Sequence, residues 1–147
     1  MKYLLLVLVF CFALSCEDDN SSTKVIIDSN IPEGNPDYAV RIQSLIPNPA
    51  GTDTGKESFV LKNYANQECD LTGWYVEDLA AKRCVLDSVG ILGANASYNY
   101  IILGMTMLNN ASETVDLKTK DDIIVQTVTY KNAGVDEVIS TEPETEE

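Results

Sequence analysis

The chain has 147 residues, no histidine, and 23 Asp and Glu against 10 Lys and Arg, a formal net charge of −13. That balance argues against nucleic-acid binding, which draws its affinity from basic side chains displacing counterions. The missing imidazole removes Ser-His-Asp, Cys-His and His-ligated zinc arrangements together.

The first element is a signal peptide over residues 1–15. Met1 and Lys2 give a short basic start, residues 4–14 form an apolar stretch too short to span a bilayer, and Ser15 precedes Cys16. The run Ala13-Leu14-Ser15-Cys16 resembles a bacterial lipobox, which implies cleavage before Cys16, diacylation of its sulfur with palmitate-type chains, and acylation of the new amino group. Each buried methylene contributes about 0.8 kcal/mol, so several acyl chains on one residue anchor a protein without a transmembrane helix. The plainer alternative is an ordinary secretory signal, or a retained anchor helix, with a chance cysteine. Glu17-Asp18-Asp19 then resembles the surface-export signal of some Gram-negative lipoproteins, against the simpler reading of a solvated tether. Residues 16–37 form an acidic flexible linker with Pro32, Gly34 and Pro36, in which 25–27 offers one edge strand.

From Tyr38 the pattern becomes short strands between turn signals. Strands are expected over 39–46, 58–64, 74–79, 82–87, 97–103, 114–118 and 123–130, with no helical stripe, heptad or repeat. Alternation nominates Phe59, Leu61, Leu71, Trp74, Val76, Leu86, Ile101, Leu117 and Val128 for the core, and Gly73 allows a bulge that aims the only Trp inward. Asn63 and Asp70 flank strands where a short polar side chain can bond nearby backbone and close a turn. The polar loop 47–56 is either a contact site, through Asn48, Asp53 and Lys56, or a variable loop with no partner. Residues 133–147, ending in an acidic run, read as a disordered tail.

Of the 4 Cys, Cys11 leaves with the signal and Cys16 takes the lipid, which leaves Cys69 and Cys84 in an oxidising compartment. A tight turn at 79–82 places Cys84 opposite a residue near Val76, so a Cys69–Cys84 disulfide needs a bend, and two buried thiols are the alternative. A carboxylate pair drawn from Asp53, Glu57, Glu77 and Asp78 could serve acid/base work, although such residues are usually solvated or form turns in an acidic β domain. The acids at 53–57 and Asp121-Asp122 leave calcium as a weak alternative, since neither has calcium-loop spacing, and no metal or cofactor is expected. Asp87-Ser88-Val89 resembles a bacterial O-glycosylation tripeptide.

The order Val40-Arg41-Ile42, Pro47-Asn48-Pro49-Ala50-Gly51, Glu57-Ser58-Phe59-Val60-Leu61-Lys62-Asn63, Asp70-Leu71-Thr72-Gly73-Trp74, Glu113-Thr114-Val115-Asp116-Leu117 and Val128-Thr129-Tyr130 resembles the lamin tail domain over residues 38–132. The resemblance implies an all-β, immunoglobulin-like β-sandwich, found in nuclear lamins and in bacterial secreted and membrane-anchored proteins, sometimes beside hydrolases. Val60 stands where many members carry an acidic residue, and the coiled-coil rod of lamins is missing. The expected function is a non-enzymatic, membrane-anchored envelope or surface lipoprotein that presents this sandwich for protein or glycan contact, without nucleic acid. A small extracytoplasmic hydrolase, or a hydrolase-associated subunit, is the alternative.

Overall fold

Side-chain alternation along short runs builds antiparallel sheets here, and the computed structural model describes them over residues 39–141 and the backbone of Ile26–Asp28. The signal peptide, Cys11, Cys16, the acidic run behind it and residues 142–147 lie outside the described residues. The elements are β1 (Ile26–Asp28), β2 (Val40–Ile46), β3 (Ser58–Asn63), β4 (Cys69–Asp70), β5 (Tyr75–Asp78), β6 (Arg83–Val85), β7 (Ile91–Leu92), β8 (Ser97–Ile101), β9 (Ser112–Lys118), β10 (Ile124–Lys131) and β11 (Ile139–Ser140). Among the described residues there is no helix.

One sheet has the order β1-β10-β9-β5-β6, a second β11-β2-β3-β8, and β4 pairs with β7 in a small third. All the pairings are antiparallel. The result is an all-β, sandwich-like fold whose interior is filled by inward residues of the two large sheets, including Ile42, Leu45, Phe59, Leu61, Val76, Leu117 and Val128. The linker's edge strand is β1, set against β10 with Ile27 opposite Val128.

Trp74 is buried, as are Leu71 and Leu86. Gly73 acts through a turn rather than a bulge. The Trp74 N–H donates to the Leu71 carbonyl at 3.0 Å, and Gly73 adopts φ 78 in a turn whose third residue must be left-handed. The Gly73 N–H donates to Asp87 Oδ1 at 2.7 Å, which closes the Trp turn onto the end of the next hairpin.

Beyond Tyr100 the inward face is the opposite of the expected one. Tyr100 lies opposite Phe59, their rings stacked at 4.9 Å, so period two sends Ile102 inward and Ile101 outward. Ile102 is wholly buried and Ile101 is half exposed, which removes Ile101 from the core. The stretch read as a disordered tail also joins the domain as far as Thr141. Ile139 pairs with Leu45 and is buried, and the Thr141 N–H donates to the Gln43 carbonyl at 3.0 Å. One isoleucine sufficed, because the edge of β2 offered it a ladder and a cover.

Neither Cys69 nor Cys84 forms a disulfide, and both are buried. Cys84 lies opposite Val76, as the turn geometry requires, while Cys69 lies opposite Leu92 in the small third sheet. Burial, then the nearby Glu57 and Asp78 carboxylates, push the Cys84 thiol up to about 11, which makes it inert as a nucleophile.

Trp74→Ala should cost about 3 to 5 kcal/mol, the range for a large aromatic removed from a packed interior. Against a typical domain stability of about 5 to 15 kcal/mol, that approaches unfolding. Urea denaturation followed by far-UV circular dichroism measures it, and an unchanged midpoint would place the indole on the surface.

Candidate functional site

The proposed contact loop is held by its own chain. Lys56 Nζ donates to the Ala50 carbonyl at 2.9 Å, Asn48 Nδ2 to the Ala133 carbonyl at 3.0 Å, and the Ala50 N–H to Asp136 Oδ1 at 2.7 Å. The Asp136 N–H donates in turn to the Asn48 carbonyl at 2.8 Å. Asn48 thus fastens the loop to the turn before β11, while Lys56 closes the loop on itself. Asp53 faces elsewhere, into a cavity.

That cavity has a volume of about 350 Å³ and collects Asp53, Glu57, Asp78 and Glu113 around one basic residue, Lys82. Three of the four carboxylates nominated for acid/base work therefore meet. Glu77, the fourth, does not: Lys118 Nζ donates to its Oε2 and Arg83 Nε to its Oε1 at 2.9 Å. Those hydrogen bonds hold the Glu77 carboxyl below its usual range.

Glu57 sits one residue before β3 and is wholly buried. Its Oε2 accepts the N–H groups of Met107, at 2.7 Å, and Leu108, at 3.1 Å, while its Oε1 is buried without a partner. Desolvation raises its pKa, opposed by those two backbone donors and by Lys82 and reinforced by Asp53. The other carboxylates are partly engaged. Asp78 Oδ1 accepts the Lys82 N–H at 2.8 Å, Glu113 Oε1 accepts the Thr114 N–H at 2.9 Å, and Asp53 Oδ2 accepts Asn110 Nδ2 at 3.4 Å. Among the described residues no group of three His, Cys, Asp or Glu is close enough to share a metal ion.

A groove of about 500 Å³ lies between the edge strands β6 and β8. Its walls include Val85, Tyr98, Tyr100, Ile101 and Leu103, and Tyr100 Oη bridges it by donating to the Val85 carbonyl at 3.2 Å. Tyr98 is 39% exposed, Val85 47%, Ile101 49% and Leu103 74%, a run of large apolar side chains held in water. Ser88 of the glycosylation-like tripeptide also lines this groove. Segment 103–108 is a wall common to both clefts, with Leu103 and Met105 on the groove and Thr106, Met107 and Leu108 on the cavity. Sequence reading missed the groove, although Ser97-Tyr98-Asn99-Tyr100-Ile101 carries tyrosines on one face and an isoleucine on the other.

No family model, curated protein or solved structure matches the chain.

Glu57→Gln tests the burial of this carboxyl. An acid with a raised folded pKa contributes stability that is present below its unfolded value, about 4.3, and is lost as pH rises through the folded one. The glutamine variant lacks that loss. Its urea midpoint should therefore gain on wild type between pH 4 and pH 8, and parallel midpoints would show that Glu57 is ionised without cost.

Proposed function

We propose that this protein is a lipid-anchored lipoprotein of the bacterial envelope, possessing no catalytic role, whose sandwich receives an extended segment of a partner protein in the groove between β6 and β8. The immunoglobulin-like, lamin-tail form of the sandwich belongs to the same reading, supported by the strand order and by the motifs at 57–63 and 70–74. The groove carries the argument. Each of its flanking strands has a neighbour on one side only, β6 on β5 and β8 on β3, so each offers main-chain groups to an added strand. Exposed side chains of Tyr98, Ile101 and Leu103 supply the apolar pockets that give such an added strand its side-chain preference.

The anchor is read from Ser15-Cys16. Cys16→Ser should release the protein from the membrane fraction or leave an unprocessed precursor, and wild type should take up a fatty-acid analogue. A wild type that takes up no label removes the lipid anchor.

For the groove, a photo-crosslinking amino acid at position 98 should yield a defined protein adduct on intact cells. The same residue at position 131, an exposed site on β10, should yield little. Equal yields at both positions, or adducts to glycan alone, would defeat the groove as a protein site.

The hydrolase reading is favoured by one observation, the meeting of Asp53, Glu57 and Asp78 in the cavity. Against it stands the state of Glu57. A carboxylate whose orientation is fixed by two backbone donors on one oxygen is poorly placed to follow a proton to a scissile bond.

A further inference from the structure

The buried side-chain nitrogen and oxygen atoms without a hydrogen-bond partner, among the described residues, are Glu57 Oε1, Asn110 Oδ1 and Tyr130 Oη. All are oxygens, and two of them share one cavity. Glu57 and Asn110 line the acidic cavity, whereas Tyr130 stands outside its lining and its hydroxyl carries a donor of its own. A buried acceptor left unpaired costs about 1 to 3 kcal/mol, more when charged. Two such acceptors in the wall of one cavity describe a place that lacks a donor.

Lys82 does not fill that role. Its Nζ donates to the Thr106 carbonyl at 2.6 Å, at the cavity wall, and among the described residues it is the only basic one lining the cavity against Asp53, Glu57, Asp78 and Glu113. The missing donor is therefore cationic by charge balance. Its chemical class follows from spacing and size. A calcium ion gathers six to eight oxygens at about 2.3 to 2.6 Å, whereas no three described carboxylates stand close enough to share an ion. An ammonium group instead directs three N–H donors at separate acceptors and tolerates wider spacing. About 350 Å³ also far exceeds a bare ion, and Ala80, Met107 and Leu108 provide apolar wall for a methylene stem.

We propose that this cavity binds an alkylammonium group, carried either by a lysine side chain of another protein or by a free amine, with Glu57 Oε1 and Asn110 Oδ1 as its buried acceptors. The site owes nothing to the groove between β6 and β8 and survives the failure of that reading.

The test is a titration of the mature protein in detergent micelles, following the amide resonances of Met107 and Leu108, whose N–H groups donate to Glu57. The probes are n-butylammonium chloride, a short peptide with one lysine, the same peptide with that lysine Nε-acetylated, and calcium chloride. Saturable shifts are expected with butylammonium and the lysine peptide and none with the acetylated peptide. The lysine peptide binding more tightly than butylammonium identifies a protein side chain as the natural source, and the reverse identifies a free amine. Glu57→Gln should weaken the amine by at least about tenfold while the remaining spectrum stays in place, and Lys82→Met should strengthen it. Should Glu57→Gln fail to fold, Asn110→Ala and Asp78→Asn are each expected to weaken binding. Silence toward both amines, which would leave water as the partner of these oxygens, or a tighter response to calcium than to either amine, overturns the proposal.

Discussion

Strand β3 lies between two buried polar side chains, Glu57 just before it and Asn63 at its end, and the connections at both ends depend on how those two groups are paired. At one end Asn63 is wholly buried yet fully employed. Its Nδ2 donates to the carbonyls of Gln67, Leu92 and Gly93 at 2.8, 3.1 and 3.1 Å, and its Oδ1 accepts the Ala65 N–H at 2.9 Å. One amide thus replaces the backbone partners that the loops after β3 and β7 cannot give each other. At the other end Glu57 holds the Met107 and Leu108 amides but leaves an oxygen over. The satisfied end is architecture. The half-satisfied end is where chemistry has room.

The two large sheets are joined by the same device. A bulge in β10 between Ile124 and Gln126 turns both Val125 and Gln126 into the interior, and Gln126 crosses to the other sheet. There its Oε1 accepts the Ile42 N–H at 2.7 Å and its Nε2 donates to the Ile42 carbonyl at 3.2 Å. Ile42 lies beside a register shift in β2, beyond the two residues of β2 that β11 covers, so its outward groups have no ladder partner. Gln126, with Thr141 Oγ1 donating to the same carbonyl, completes the edge that β11 leaves short. Polar side chains here do the work of missing strand, which explains how a strand as brief as β11 can belong to the domain.

Much of this was legible, and what was not has physical causes. The longer strands, the buried Trp74, and Asn63 and Asp70 as turn closers follow from alternation and short polar side chains, while the two-residue strands β4, β7 and β11 carry too little pattern to be read; Asp70 Oδ1 indeed accepts the Thr72 N–H at 2.9 Å. Glu57 has the same parity as Phe59, Leu61 and Asn63, so alternation alone points it inward, but its charge argued for the surface. Burial of a carboxyl is decided by donors fifty positions along the chain, which no local pattern carries. The loop at 47–56 misled in the opposite sense, because its polar atoms are matched by Ala133 and Asp136, from a stretch whose composition suggested a tail. The groove is a property of two strand edges meeting, invisible in either strand alone.

The distribution of basic residues gives the acidic cavity its character. On the outer face of the first sheet Arg83 and Lys118 converge on Glu77, and the Arg83 guanidinium lies 4.4 Å from the Tyr75 ring centroid. Those two cations are committed to a neighbouring strand's carboxylate, and among the described residues the cavity retains only Lys82. In a chain of net charge −13, such a pocket adds to a long-range negative potential rather than cancelling it. Exposed charges screen within roughly 8 Å at physiological ionic strength, while a buried carboxyl is screened far less. Attraction of a cation into the mouth is therefore salt-sensitive, and its final pairing with the buried Glu57 is not. This separates the cavity from a merely acidic surface, where both steps would fade together as salt is added.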